Sequence, residues 1–337
     1  MDSLTHVVLG ACAGELIAGR EAGKKVLIIG ALANSFPDID FLASFFLPLT
    51  SDLLAHRGFT HSFTFIALFS PLSGYLSYIF FKKKILSPLK WTLFWAIQMF
   101  IHIVLDAFNA YGTGWFEPFS HYRVSFNSMF VADPLYTIWP ALCTILLFLL
   151  PARNTQRRII ATIAVSVSTC YLAWGIIAKN SIDSFAHRQL RTMGADNTDY
   201  FSTPTPLNNM LWYIVARKDS GYLIGYRSIL DDNKPVSFRY VPVNDTLLRA
   251  FDQNKDIQNL KRFSNGFYYA SVSNDTLLFN DLRFGEILGW QYADARCVFY
   301  YYPQYPSAND LIVQRGRFEG WNTNTFRFFV ARMMGNR

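Results

Sequence analysis

Six short stretches of this chain carry residues that bind metals or move protons, and all lie within the first 133 positions. "FIHIVLD" places His102 and Asp106 four residues apart. On a helix that spacing puts both side chains on one face, about one turn apart, with Asn109 continuing the stripe. Such a pair holds one metal ion, bridges two, or forms a buried His–Asp hydrogen bond joining two helices. "NSFPDIDFL" supplies Asp38 and Asp40 just after a proline. Alternating carboxylates there suit a loop that offers oxygens to a hard or borderline cation, or a helix-breaking turn with solvated acids. "HRGFTH" gives His56 and His61, too far round an ideal helix to share a face. Gly58 permits a turn between them, which puts His56 in a loop and His61 at a helix start. Arg57 can meet an anionic substrate group, a lipid headgroup or Asp52. His6 alone fits a satisfied interfacial histidine better than a ligand.

Taken together, His6, Asp38, Asp40, His56, His61, His102 and Asp106 form a larger ligand set than the four donors of a structural zinc. The set suits a catalytic or two-metal site, so the expected cofactor is one or two divalent ions, zinc first and manganese or magnesium as alternatives. Asp40, Arg57 and Asp133 are the candidates for catalytic roles beyond ligation. His121, in "PFSHYR", ranks with Asp133, in "VADPLY", as second tier, and His187 stands apart.

The elements that must position these residues are mostly apolar. Of 337 residues, 51% are hydrophobic and only 16% charged, against about 25% charged in ordinary soluble proteins. Runs at 62–81, 91–110, 134–151 and 159–178 are each long enough for a helix crossing about 30 Å of hydrocarbon. Two shorter segments near the start, tilted or partly inserted, bring the expectation to about six spans. The fold class expected is therefore an α-helical membrane domain, 1–179, followed by a β-rich soluble domain, 180–337. In the latter, "LWYIVARKDSGYLIGYRSIL" and "NGFYYASVSNDTLLFNDLRFGEIL" alternate aromatic or β-branched residues with polar ones between turn signals. "FSTPTPLNNMLW" reads as a loop leading into the first strands.

Charge sorts the loops, because short cytoplasmic loops are rich in Lys and Arg. Arg20, Lys24 and Lys25, then Lys82, Lys83, Lys84 and Lys90, then Arg153, Arg157 and Arg158 mark cytoplasmic ends. That order places every candidate ligand at the outer face and makes the C-terminal domain extracytoplasmic. The net charge of +7 is thus a topology signal, and nucleic acid is not an expected partner. Cys12, Cys143, Cys170 and Cys297 show no CxxC spacing, so neither a disulfide framework nor a cysteine zinc site is expected. The start of the chain lacks the basic region of a cleavable signal peptide.

At "MDSLTHVVLGA", "PDID", "HRGFTHS", "HIVLD", "YGTGWFEPFS" and "DPLY" the chain resembles the YdjM-like group of membrane-bound, metal-dependent hydrolases, LexA-regulated inner-membrane proteins. The likeness runs over about 1–180 and implies a multi-pass bacterial inner-membrane protein with a metal-dependent hydrolytic site. It implies His6, Asp38, Asp40, His56, His61, His102 and Asp106 as site residues, with Asp133 behind them. The ligand order is also similar to that of zinc-dependent phospholipase C and nuclease enzymes, which favours a phosphoester in a membrane lipid or lipid-linked substrate. Two other functions fit the same residues: a metal-ion or proton-coupled transporter using the His/Asp cluster, and a membrane scaffold braced by a structural metal. The oligomeric state has no signature in the sequence.

Overall fold

The structure is a computed structural model that describes residues 1–81, 85–195, 198–232, 234–309 and 318–336. Two compact units divide the chain. The first comprises Met1–Phe46 and Ala55–Gly175, and the second Leu47–Leu54 and Ile176–Arg337.

In the first unit, α1 (Ser3–Ala22) starts at Asp2, whose carboxylate accepts the Thr5 amide at 3.1 Å. Its partner α2 (Lys25–Asn34) lies very close, because Gly10 and Gly14 face it without side chains. A Cβ on Gly10 would sit 2.5 Å from the Gly30 carbonyl oxygen, and one on Gly14 2.7 Å from that of Val26. Small residues repeated at this spacing are the usual device for bringing membrane helices together. After α2 the chain turns by 51° into a 3-10 segment, Phe36–Phe45. Pro37 causes the break: it has no amide hydrogen to continue the ladder, and its ring disfavours helical backbone at Phe36.

The next short helix, α3 (Leu49–Ala55), lies almost wholly within the segment assigned to the second unit. The first unit resumes with a 3-10 turn at Phe59–His61 and the antiparallel pair α4 (Phe63–Phe80) and α5 (Pro88–Asp106). Ser62 and Ser87 cap these two helices through their hydroxyls, and Pro88 occupies the first turn of α5, where no donor is lost. Asp133 caps α6 (Pro134–Leu149) in the same way. The long α7 (Gln156–Thr192) follows. Leu68, Leu72, Leu76 and Ile79 on α4 and Ile159 and Ile163 on α7 point outward, as lipid-facing positions do.

The expected count of about six spans is corrected. Among the described residues, helices α4, α5 and α7 are long and apolar enough to cross a membrane, and a fourth span arises if α2 and its bent continuation count as one. Helix α6 has 16 residues, about 24 Å of helix. Helix α1 has 20, but Glu15, Arg20 and Glu21 lower its apolarity and most of it is packed inside the bundle. An inside–outside order built on six crossings loses its basis with that count. Lys82, Lys83 and Lys84, which supported it, lie outside the described residues; Lys90 sits in the first turn of α5.

The second unit is sheet-rich. Strands β1 (Tyr200–Pro204), β2 (Leu211–Lys218), β3 (Gly221–Ser228) and β4 (Arg239–Pro242) form an antiparallel meander. Strands β5 (Tyr268–Ser273), β6 (Thr276–Glu286) and β7 (Cys297–Tyr301) form a second. Asn274 and Asp275, both left-handed, make the two-residue β5–β6 turn. "FSTP" is a strand rather than a loop. Its Phe201 joins the core, and Pro204 falls at the end of an edge strand, where a missing donor costs little. Strand β2 is buried on both faces. Tyr213 and Val215 meet Leu282 and Cys297 of the other sheet, while Trp212 and Ile214 meet Ala178, Ile182 and Ala186 of α7. The remaining helices are α8 (Lys255–Phe263) and α9 (Thr323–Met333). Thr50 of α3 donates to Asp256 of α8 at 2.5 Å, and Asn259 donates to Thr50 and Ser51.

The α1–α2 contact yields a direct test. Gly10→Leu is expected to cost about 3 kcal/mol or more through overpacking, read as a lower unfolding midpoint in detergent. Ile28→Leu, on the outward face of α2, should leave the midpoint unchanged. Equal midpoints for the two variants would refute the close glycine packing.

Candidate metal centre

Three helix ends and one turn bring the site together. The break before Pro37 swings Asp38 off the axis of α2. The left-handed backbone at Arg57, with Gly58 beside it, reverses the chain so that His61 arrives just before α4. The last turn of α5 carries His102 and Asp106. Ligand atoms of Asp38, His61, His102 and Asp106 all lie within 4.8 Å of one another.

The individual spacings are informative. Nε2 of His61 is 3.1 Å from Nε2 of His102 and 3.3 Å from Oδ2 of Asp106. Oδ1 of Asp38 is 3.4 Å from Nε2 of His102 and 3.6 Å from Nε2 of His61. Nε2 of His102 stands 3.6 Å from Oδ2 of Asp106. Four donors placed tetrahedrally at the 2.0–2.2 Å of zinc–nitrogen and zinc–oxygen bonds would be about 3.3–3.6 Å apart; five of the six spacings lie near that value, and the sixth, between Asp38 and Asp106, is within 4.8 Å. The side chains present therefore fit a small divalent ion. A second observation agrees: Oδ2 of Asp106 is buried and ion-paired with Arg57 Nε at 3.1 Å, but no hydrogen bond of good geometry among the described residues uses its lone pairs, which leaves one for an ion. Burial pushes the His61 imidazole down to about 3, which keeps it neutral and able to ligate at physiological pH.

An outer layer orients these four. Nδ1 of His61 lies 3.4 Å from Oδ2 of Asp40 and 3.0 Å from the Thr60 hydroxyl. This carboxylate–histidine pairing commonly fixes a ligand's tautomer and leaves Nε2 free for metal. Asp40 also accepts the Arg57 amide at 2.7 Å and approaches Nδ1 of His56 at 3.3 Å. His6 stacks on His102, with ring centroids 3.7 Å apart, while its Nε2 lies 3.2 Å from Oδ1 of Asp106. The Arg57 guanidinium is buried: Nε is 3.1 Å from Asp106, Nη1 donates to Asn109 and Nη2 to the Met1 carbonyl. The Met1 amine also contacts Asp106, and burial drives it toward its neutral form. Three carboxylates, Asp38, Asp40 and Asp106, thus share one permanent cation, a deficit that a divalent ion would offset.

Of the seven expected ligands, four converge, His6 touches two of them, His102 and Asp106, and Asp40 and His56 stand behind His61. Asp133 is elsewhere: its carboxylate caps α6 through Leu135 and Tyr136 and accepts the Tyr171 hydroxyl at 2.8 Å. His121 pairs with Glu117 at the surface, and His187 is exposed on α7. The sequence reading missed Asn34 and Gln98. Asn34 links His6 to the Gln98 side chain, which in turn donates to the Gly10 carbonyl. A signal existed for Gln98, which lies four residues before His102 on the same helical stripe as Asp106.

Residues 1–182 match the family model described as YdjM inner membrane protein. The chain is 32% identical over 149 residues to "Uncharacterized protein YfhP" of Bacillus subtilis (strain 168), 41% of this chain and 43% of that protein. It is 26% identical over 122 residues to "Inner membrane protein YbcI" of Escherichia coli (strain K12), 36% of this chain and 69% of that protein. The first of these matches thus spans less than half of the relative's length. No solved structure matches. The family match contains the whole His/Asp cluster and ends before the first strand. On that match the chain belongs to the YdjM inner membrane protein family.

Proposed function

We propose that the chain is a membrane-embedded hydrolase that uses zinc to cleave a phosphoester in a lipid or lipid-linked substrate. The observation that carries this reading is the convergence of two imidazoles and two carboxylates with an oriented outer layer. The donor chemistry favours catalysis over bracing, since structural zinc sites are dominated by cysteine and none of the four cysteines belongs to the cluster. Access points the same way: His61, His102 and Asp106 are sealed, whereas the Asp38 side chain keeps 27% of its surface open. A substrate reaching the cluster meets Asp38 first.

Position supports an enzyme over a transporter. Transport sites lie near the bilayer midplane, whereas this cluster sits just past the end of α2, just ahead of α4 and at the end of α5. Lys90 and Arg20 lie at the far ends of α5 and α1, so the cluster sits at the ends of these helices away from their basic residues. A divalent ion held by Asp38, His61, His102 and Asp106 would supply Lewis acidity toward the ester oxygen and would acidify water. The protein's own groups then have distinct tasks. Asp40 orients His61, and Arg57 holds Asp106 rather than substrate, because its guanidinium is already engaged. His56, half-buried against Asp40, is placed to pass protons between that carboxylate and solvent.

Two experiments test this reading. Purified protein loaded with zinc should cleave phospholipid or a generic phosphodiester, and His61→Ala and His102→Ala should each lose metal and at least a hundredfold in turnover. His121→Ala should keep both. Absence of turnover on every phosphoester, with zinc bound, would rule out the hydrolase. Separately, Asp40→Asn should weaken zinc binding about 10–100-fold while the protein stays folded. An unchanged zinc affinity would remove Asp40 from the outer layer.

A further inference from the structure

A cavity lined by polar and apolar residues lies within the first unit, at the opposite end of α1 from the His/Asp cluster. It has a volume of about 910 Å³ and is bounded by the end of α1, the 152–155 loop and the first turns of α7. His6 and Arg20 are 14 residues apart on α1, on the order of 20 Å of helix, so the two places are physically separate. Arg157 forms the floor. It is buried in a bidentate pair with Glu15, at 2.9 and 2.6 Å, and also donates to the carbonyls of Leu147 and Leu150. Four of its five N–H donors are thereby spent on holding α1, α6 and α7 together.

The rim is different. Arg20, Arg153 and Arg158 line the cavity, and their side chains make no ion pair or hydrogen bond among the described residues. Glu21 is the one carboxylate on the wall besides Glu15. Three unspent guanidiniums against one free carboxylate make a receptor for an anion, and planar guanidinium favours phosphate through paired hydrogen bonds. The rest of the wall identifies the source of that phosphate. Ile159 and Ile163, one helical turn apart on α7, line the same cavity and remain 61% and 51% exposed. A soluble anion has no use for such a strip, whereas a lipid sets its headgroup among the arginines and its acyl chain along the isoleucines.

We propose that this cavity binds an anionic phospholipid, with Arg20, Arg153 and Arg158 on the headgroup phosphate and Ile159 and Ile163 against an acyl chain. The site is independent of the metal centre, so its test does not depend on hydrolysis. Native mass spectrometry of the full chain should show phosphatidylglycerol retained in preference to phosphatidylcholine of the same chains. Inorganic phosphate in millimolar excess should not displace it. Arg153→Gln and Arg158→Gln should each weaken retention about fivefold, given about 1 kcal/mol per basic residue near a lipid surface. Zinc binding should be untouched. Equal retention of the two lipids by the wild-type protein would overturn the proposal without recourse to any variant. Displacement by phosphate would reassign the cavity to a soluble anion, and undiminished retention by both folded variants would move the lipid elsewhere.

Discussion

The arrangement of the helical unit follows from one constraint: Asp106, at the end of an apolar helix, has a fully buried carboxylate. Such a group is among the most expensive to place in a low-dielectric interior, and it persists only where partners compensate it. Arg57 supplies a charge, His6 a ring nitrogen, and His61 and His102 two more. Each of these partners needs its own support, which accounts for Asp40 behind His61, Asn34 behind His6 and Asn109 behind Arg57. The polar network therefore grows outward from a single carboxylate until it reaches solvent at Asp38 and His56.

The surrounding backbone is specialised to deliver those partners. Glycines at the α1–α2 contact bring His6 and Asn34 within hydrogen-bonding distance, which bulkier residues would prevent. The break at Pro37 and the left-handed turn at Arg57 carry Asp38 and His61 toward the end of α5. In a membrane, a chain departs from helix only where the freed backbone groups find partners. Here Asp40 receives the Arg57 amide, and the Arg57 carbonyl accepts the amide of Gly114. The irregular segments are thus held by the same side chains they position.

Much of this site was legible in the sequence because its residue types are rare in apolar runs. Histidine and aspartate stand out at positions 38, 61, 102 and 106, and the four-residue spacing on α5 states its own geometry. The depth of each residue was not legible. Nothing local distinguishes His61, which faces the cluster, from His56, which faces solvent; the turn at Arg57 decides. Asp133, ranked behind Asp106, is followed by proline, the mark of a helix cap, and it serves as one. Span counting failed for a related reason. Length and apolarity read α1 and α6 as crossings, whereas burial of α1 by its neighbours is a tertiary property. The capture of Leu47–Leu54 by the second unit was equally invisible, since the hydrogen bond from Thr50 to Asp256 joins residues 206 apart.

The central claim is that Asp38, His61, His102 and Asp106 form one metal site. X-ray absorption at the zinc edge of the loaded, purified protein tests it most directly. The account predicts four or five nitrogen and oxygen neighbours at about 2.0–2.2 Å, two of them imidazoles, and no sulfur. A sulfur shell near 2.3 Å, or a first shell without imidazole scattering, would contradict it.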